Sequence, residues 1–541
     1  MLTPYRPEPY VNFADPEPRQ RMLAALAEVR GQLGRTYPLR IGAERIETSQ
    51  RIASYMPARS DTVVGSVGKA TREQAEQAIR AAAAAFQTWR KVDHETRARV
   101  LLKAAAIMRR RIYELSAWMC FEVSKSWIEA YADVCETIDF LDFYAREMLR
   151  LGGPQPVTPY PGEENELRYI PLGVGVVIPP WNFPLAICTG MTSAAIVTGN
   201  TVVLKPASTA PVIAAKMAEV FEQAGLPPGV LNYCPGSGAE VGDYLVDHPQ
   251  TRFVSFTGSM EVGLRIFERC GRIAPGQIWL KRTVLEMGGK DCILVDETAD
   301  REAAAEGIVA SAFGFQGQKC SACSRAILHE AVYDDVLARV VERTKKLTIG
   351  DTTGEENFFM GAVIDESAFK SINAYIEIGR KEGRLVLGGT VKGGVAEVGG
   401  ARVPSGGHFI PPTIIEGVDR NARIAQEEIF GPVLAVIRAR SFEDGLGIAN
   451  GTKFGLTGAL YSNDRFRLER ARQDFHCGNL YLNRHCTGAL VERQPFGGFR
   501  MSGGGTKAGG PDYLLHFMDP RVVTENTMRR GFAPEEETEN R

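Results

Sequence analysis

A cysteine and a glutamate in glycine-lined settings carry the first sign of chemistry in this chain. Cys320 lies in Gly317-Gln318-Lys319-Cys320-Ser321-Ala322-Cys323, and Glu286 lies upstream in Leu285-Glu286-Met287-Gly288-Gly289-Lys290. One offers a thiol nucleophile and the other a base. Glycines at 288, 289, 314 and 317 let backbone amides approach a reacting carbonyl. These are the parts of an acyl-transfer site. A free thiol has a pKa near ~8.5, so it must be activated by a base or by positive surroundings, for which Glu286 and Lys319 are the candidates. Taken alone, such a cysteine is usually a small buried hydrophobe and a Glu before Gly-Gly a turn carboxylate. Their pairing, together with Asn182 and Lys205 below, favours catalysis.

Composition narrows the setting. The chain has 541 residues with 44% hydrophobic content, enough for two or three domains with sizeable cores. Lys and Arg total 63 against 65 Asp and Glu, so no basic field attracts nucleic acid or anionic membrane, and small molecules or copies of the chain itself are the expected partners. Ten cysteines are scattered without framework spacing and no signal peptide precedes them, which predicts reduced thiols in a cytoplasm. Cys320 and Cys323 form a C-x-x-C pair, but no second pair or His cluster completes a zinc site, so no metal is expected. The most apolar stretch, Phe183 to Gly199, is broken by Pro184, Thr189, Gly190 and Thr192 and falls short of a membrane span.

The elements that must position the thiol and the base are legible as texture. Residues 1–45 read as an N-terminal arm with an amphipathic segment from Arg19 to Leu33. Thr71-Arg72-Glu73-Gln74 has capping-box spacing and opens a helix running to Trp89, followed by a further helix near Ala98 to Phe121. From Leu172 short apolar runs alternate with helical stretches: Gly173 to Ile178, Thr201 to Leu204, Val230 to Cys234 and Arg252 to Phe256. That alternation predicts a parallel α/β sheet. Two glycine-rich turns, Pro235 to Gly242 and Phe256 to Gly263, each follow a strand and open a helix, where amides and the helix dipole bind a pyrophosphate; neither matches G-x-G-x-x-G. A second α/β pattern runs from Asp291 to about Leu482 and holds a glycine-rich hairpin around Gly388 to Gly407. A boundary near Gly288 sets Glu286 and Cys320 on either side of a cleft, a favoured ligand site. The tail from Arg521 is charged and expected to fray.

Seven separated segments then converge. Pro180-Trp181-Asn182-Phe183-Pro184, Lys205-Pro206-Ala207-Ser208, Phe256-Thr257-Gly258-Ser259, the Glu286 and Cys320 segments, Glu427-Glu428-Ile429-Phe430-Gly431-Pro432 and Pro495-Phe496-Gly497-Gly498, in that order, resemble the NAD(P)-dependent aldehyde dehydrogenase superfamily over nearly the whole chain. A closer resemblance, to the monofunctional bacterial 1-pyrroline-5-carboxylate dehydrogenases, rests on Asn483-Arg484-His485-Cys486-Thr487-Gly488-Ala489-Leu490-Val491, Lys319-Cys320-Ser321-Ala322, Lys507 to Leu514 and Leu33 to Leu39. These enzymes oxidise L-glutamate 5-semialdehyde to glutamate in proline and arginine breakdown.

The resemblance implies an α/β fold with a Rossmann-type cofactor domain (1–148 and 168–288, with the N-terminal arm), an α/β catalytic domain (289–482) and a small β oligomerisation flap (149–167 and 483–541, with the C-terminal tail). It implies that Cys320 attacks the aldehyde, that the Asn182 amide and the Cys320 N–H hold the oxyanion, and that Glu286 activates water to hydrolyse the thioester. It implies NAD contacts at Ile178, Pro180, Trp181, Lys205, Ala207, Ser208, Gly238, Gly242, Phe256, Gly258, Ser259, Gly288, Glu428 and Phe430. Ser208 replaces a Glu found in many NAD-selective members, which removes a repulsion against a 2′-phosphate, so NAD is the expected cofactor and NADP a tolerated one. For the substrate it implies Ser321 and the backbone amides of Gly488 and Ala489 around the carboxylate and Phe183 and Phe496 along the aliphatic part, with Glu136 and Lys319 bordering the pocket. It also implies a homodimer or a ring of dimers.

His485 and Glu492 depart from the family, standing where a smaller residue is frequent and where Gly is frequent. Another aldehyde therefore stays open as substrate. A thiol hydrolase or acyltransferase without a dinucleotide is the alternative class, and it leaves Lys205, Ser259 and Glu428 unexplained. A catalytically silent scaffold is disfavoured by the presence of nucleophile, base and oxyanion amide.

Overall fold

Uninterrupted apolar runs such as Thr201–Leu204, buried at every position, can only sit inside a sheet covered on both faces. In the computed structural model, which describes residues 4–390, 397–398, 401–402 and 404–528, they do. The first seven-stranded sheet has the order Arg282–Glu286, Thr251–Thr257, Val174–Ile178, Thr201–Leu204, Leu231–Tyr233, Leu39–Ile41, Glu44–Ile46. Its first five strands pair in parallel and the two short ones close its edge antiparallel. The second has the order Arg384–Leu387, Thr413–Glu416, Val433–Ala439, Arg325–His329, Cys292–Val295, Thr457–Tyr461, Asn479–Leu482, parallel except for its Arg384–Leu387 edge. Glu286 ends an edge strand of the first sheet, and Cys320 lies in the loop that enters the Arg325–His329 strand of the second.

The capping box forms as the spacing predicts: Thr71 accepts from the Gln74 N–H while the Gln74 side chain accepts from the Thr71 N–H, opening the helix Arg72–Trp89. The expected single helix beyond it is two, His94–Arg110 and Ile112–Val123, divided at Arg111, whose guanidinium pairs forward with Glu114. The helix Trp127–Leu151 buries one long face, and at its start the fully buried Lys125 and Asp133 pair at 2.6 Å. Asp133 also accepts from the Ala186 N–H, and the Lys125 ammonium stands 3.9 Å from the Phe183 ring centroid and 4.8 Å from that of Phe315. That cation therefore joins the helix to the segment before Cys320.

Two expectations about the periphery change. Residues from Arg521 do not fray at once: Met518–Asn526 pairs antiparallel with Glu163–Pro171 over nine residues, so ladder hydrogen bonds order a stretch that composition alone presents as solvated. The first of these strands reaches past the expected limit at 167. The glutamates at 535–537 lie outside the described residues. In the Gly388–Gly407 region the described pairing is Glu397–Val398 with Ala401–Arg402. Among the described residues no helix is long and apolar enough to cross a membrane.

Candidate active site

One cavity of about 150 Å³ gathers residues from widely separated parts of the chain. Cys320, Glu286, Lys319, Ser321, Gly488, Ala489, Phe496, Phe183 and Glu136 all line it. Tyr10 of the N-terminal arm and Phe140, Ile187 and Met191 complete much of its wall.

The Cys320 thiol is delivered by unusual backbone. Phe315, Gln316 and Gly317 have φ of 49°, 56° and 66°, three successive residues in a region that L side chains rarely adopt. Gln316 is completely buried and donates from Nε2 to the Ser124 and Ala362 carbonyls at 3.1 and 2.8 Å. Gln318 accepts from the Ile364 N–H at 2.9 Å, and its carbonyl accepts from Asn182 Nδ2 at 3.0 Å. A Cβ at 317 would overlap the Gly431 carbonyl, so glycine is required there on space as well as on φ. Asn182 is buried and tied to this loop; a primary amide has a second N–H, which keeps it able to serve an oxyanion.

Electrostatics around the thiol differ from the sequence expectation. Burial pushes the Cys320 thiol well above its ordinary range, and Asp291, Glu428 and Glu286 push it further; the Ser321 N–H pulls the other way. Lys319 does not supply activating charge, because its ammonium is held by Glu129 Oε1 at 2.6 Å. The thiol is therefore protonated at neutral pH and needs a base. Glu286 is raised to about 8 by burial, against the Gly498 N–H at 3.0 Å, the Thr506 hydroxyl at 2.9 Å and the charge of Lys507. Glu136 is likewise raised to about 8 by burial, then by Asp133. The carboxyl expected at the border of the pocket is thus a mostly neutral acid that lines the cavity.

The other predicted residues lie at the ends of strands of the first sheet, except Glu428 and Phe430, which precede the strand Val433–Ala439 of the second. Ile178 ends its strand and Pro180 and Trp181 follow; Lys205 follows the next strand, with Ala207 and the exposed Ser208 beyond it. Lys205 is 7% exposed, its ammonium donates among the described residues only to the Pro206 carbonyl at 3.4 Å, and burial lowers its pKa. Its stem passes Gly242, where a Cβ would lie 3.4 Å from Lys205 Cε, while a Cβ on Gly238 would meet nothing within 4 Å. Ser237 caps the turn Gly238–Gly242, and Ser259 caps the helix Met260–Cys270 by accepting from the Val262 N–H, which leaves its O–H to donate. Gly258 packs on the Phe256 ring. Glu428 accepts from the Gly289 N–H at 2.9 Å, and a Cβ on Gly288 would overlap its carboxylate. Phe430, at φ 56°, meets Trp181 edge-on at 5.6 Å.

Sequence reading missed the residues that hold these groups. Thr506 and Gly498 fix Glu286 across more than two hundred positions of chain, and Gln316, Glu129 and Arg484 act through partners equally remote or through backbone carbonyls. The seven-motif order could have drawn attention to the glycine run before Thr506, but not to the hydroxyl's target. Among the described residues no group of three or more His, Cys, Asp or Glu is arranged to hold a metal ion.

The architecture and the site have close relatives. The chain is 58% identical over 525 residues to the 1-pyrroline-5-carboxylate dehydrogenase of Geobacillus thermodenitrificans, covering 97% of this chain and all of that one. It superposes with a TM-score of 0.93 on a structure of Thermus thermophilus 1-pyrroline-5-carboxylate dehydrogenase, 52% identical and covering 97% of this chain and 99% of the other. A structure of the same enzyme from Thermus with bound NAD matches with the same score, identity and coverage. A model of the aldehyde dehydrogenase family matches residues 45–523, and with these relatives it establishes that the chain belongs to the aldehyde dehydrogenase family.

Proposed function

We propose that the chain oxidises L-glutamate 5-semialdehyde, the open form of 1-pyrroline-5-carboxylate, to L-glutamate with NAD, and with NADP to a lesser extent. The observation that carries this reading is a single cavity lined by the thiol, the raised carboxyl of Glu286 and the loop bearing Gly488 and Ala489. It holds both a place for chemistry at an aldehyde and amides for a remote carboxylate. The named activity of the relatives agrees.

The residues at the first sheet's edge fit a dinucleotide. Lys205 is a buried ammonium with one weak partner, suited to ribose hydroxyls, and the capped turns at Ser237 and Ser259 present N–H groups to a pyrophosphate. Glu428 would take the second ribose, with Phe430 beside the ring, and Ser208 offers no carboxylate against a 2′-phosphate. When bound, the cofactor supplies the hydride acceptor.

The chain's own residues do the rest. Cys320 passes its proton to Glu286 and its sulfur adds to the aldehyde carbon; the new oxyanion is met by the Asn182 amide and the Cys320 N–H. After hydride loss the thioester remains on Cys320. Glu286, having released the thiol's proton to solvent, takes a proton from water; the hydroxide displaces the sulfur, Glu286 returns that proton to it to restore the thiol, and the product leaves as glutamate after giving up its acid proton. A pKa of about 8 suits a group that must hold and release protons near neutrality. Phe183 and Phe496 would flank the aliphatic carbons, and Ser321, Gly488 and Ala489 would bind the carboxylate, with Glu136 and Lys319 at the border.

In the same reading residues 1–148 and 168–288 are the cofactor domain and 289–482 the catalytic domain. Residues 149–167 and 483–541 bridge the subunits of a homodimer or ring of dimers, and the protein works in a cytoplasm. Absorbance of reduced cofactor tests the activity: formation with 1-pyrroline-5-carboxylate, weaker formation with propanal, and loss of both in Cys320→Ser are expected. Reduction with propanal alone would discard the substrate.

A further inference from the structure

The loop 484–489 is organised around one side chain. Arg484 donates from Nη1 to the carbonyls of His485 and Thr487, both at 3.2 Å, and from Nη2 to the Gly488 carbonyl at 2.7 Å. Its guanidinium stands 4.5 Å from the Tyr481 ring centroid, which fixes the fork from one face. Neither the Gly488 N–H nor the Ala489 N–H donates to a protein group among the described residues, although both residues line the cavity with Cys320.

The stereochemistry of the peptide unit links these facts. Carbonyl and N–H of one trans unit point in opposite directions. The unit joining Thr487 to Gly488 has its oxygen on Arg484, so the Gly488 N–H faces away from the guanidinium. The next unit has its oxygen on the same guanidinium, so the Ala489 N–H faces away as well. Gly488, at φ 69°, makes the turn that brings its own carbonyl and that of Thr487 to one guanidinium, a conformation that favours glycine.

We propose that Arg484 is the positioning residue of the substrate-carboxylate subsite: by collecting loop carbonyls on one side it presents the Gly488 and Ala489 amides to the carboxylate on the other. This rests on the substrate reading above. Arg484 touches no reacting atom. Lysine cannot replace it fully, because a single ammonium lacks the planar fork that spans three carbonyls.

Steady-state kinetics of Arg484→Ala and Arg484→Lys with the glutamate semialdehyde and with propanal test the proposal. Arg484→Ala should raise KM for the semialdehyde about tenfold or more with kcat nearly kept. KM for propanal, which has no carboxylate, should stay within about twofold, and Arg484→Lys should fall between wild type and Arg484→Ala. An unmoved semialdehyde KM, or equal losses with both aldehydes in both variants, would overturn the role of Arg484 alone. A wild-type protein that ignores the semialdehyde and oxidises propanal would overturn the substrate reading, and this inference with it.

Discussion

The two seven-stranded sheets bring their residues to the cleft by different means. On the first, the groups expected to face a dinucleotide sit where strands turn into helices, at Ser237 and Ser259, in the conformation any N-cap adopts. On the second, Cys320 follows three residues with positive φ, kept there by buried side chains from elsewhere: Gln316 on Ser124 and Ala362, Asn182 on Gln318, Lys125 between Phe183 and Phe315. Binding is thus built from regular geometry with local causes, and the nucleophile from strained geometry with remote ones. Damage to the first should stay local, whereas damage to the second should spread from stability into kcat.

Glu286→Gln gives the largest effect on this contrast, since it removes a base while keeping size and hydrogen bonds. Hydrolysis should slow by about 10²–10⁴-fold. Because Glu286 also takes the thiol's proton, formation of reduced cofactor in the first turnover should slow as well in stopped-flow; an unchanged steady rate would remove Glu286 from the mechanism.

The pH profile comes next. A folded pKa of about 8 means that kcat should climb roughly tenfold per unit below it and level off above, and a profile flat from pH 6 to 9 would contradict this. Stability should run the other way. Glu286, Glu136, Glu122 and Asp139 are all raised by burial, to about 8, 8, 7 and 7, so the folded state holds protons that the unfolded chain has lost above its ordinary carboxylate range. Their contribution is complete below the unfolded values and disappears as pH rises through 7 to 8, so Tm should fall between pH 6 and 9.

A direct comparison of the sheets is Gln316→Ala beside Ser259→Ala. Losing the buried amide strands two carbonyls at about 1–3 kcal/mol each and should lower kcat about tenfold. Losing the cap costs about 1 kcal/mol and should change KM for NAD more than kcat. Equal kcat losses would erase the distinction. The smallest effect belongs to Glu492, which occupies φ 69° and should gain up to about 1 kcal/mol on replacement by glycine, read as a rise in Tm.

Much of this was legible in the chain because its causes are local. The capping box at Thr71, the strand runs and the glycine turns each follow from neighbours in sequence, and the ordered motifs pointed to a cysteine, a glutamate and pocket residues that line one cavity. Glu492 was singled out as a departure from glycine, and its left-handed backbone gives the reason. What stayed hidden depends on partners far away. Lys319 looked like an activating cation until Glu129 claimed it, the stretch after Arg521 looked frayed until Glu163–Pro171 paired with it, and nothing near Thr506 discloses that its hydroxyl holds Glu286.

The burial of Cys320 has a consequence for damage as well as for turnover. Peroxides and alkylating agents attack thiolates, and this sulfur is kept as S–H by its surroundings while the other nine cysteines are buried. Being half-buried at the cavity wall rather than fully enclosed, Cys320 should still be the first cysteine such reagents reach, though slowly while it stays S–H. Iodoacetamide should modify Cys320 slowly at pH 7 by mass spectrometry; rapid labelling would show that the thiol is not sheltered.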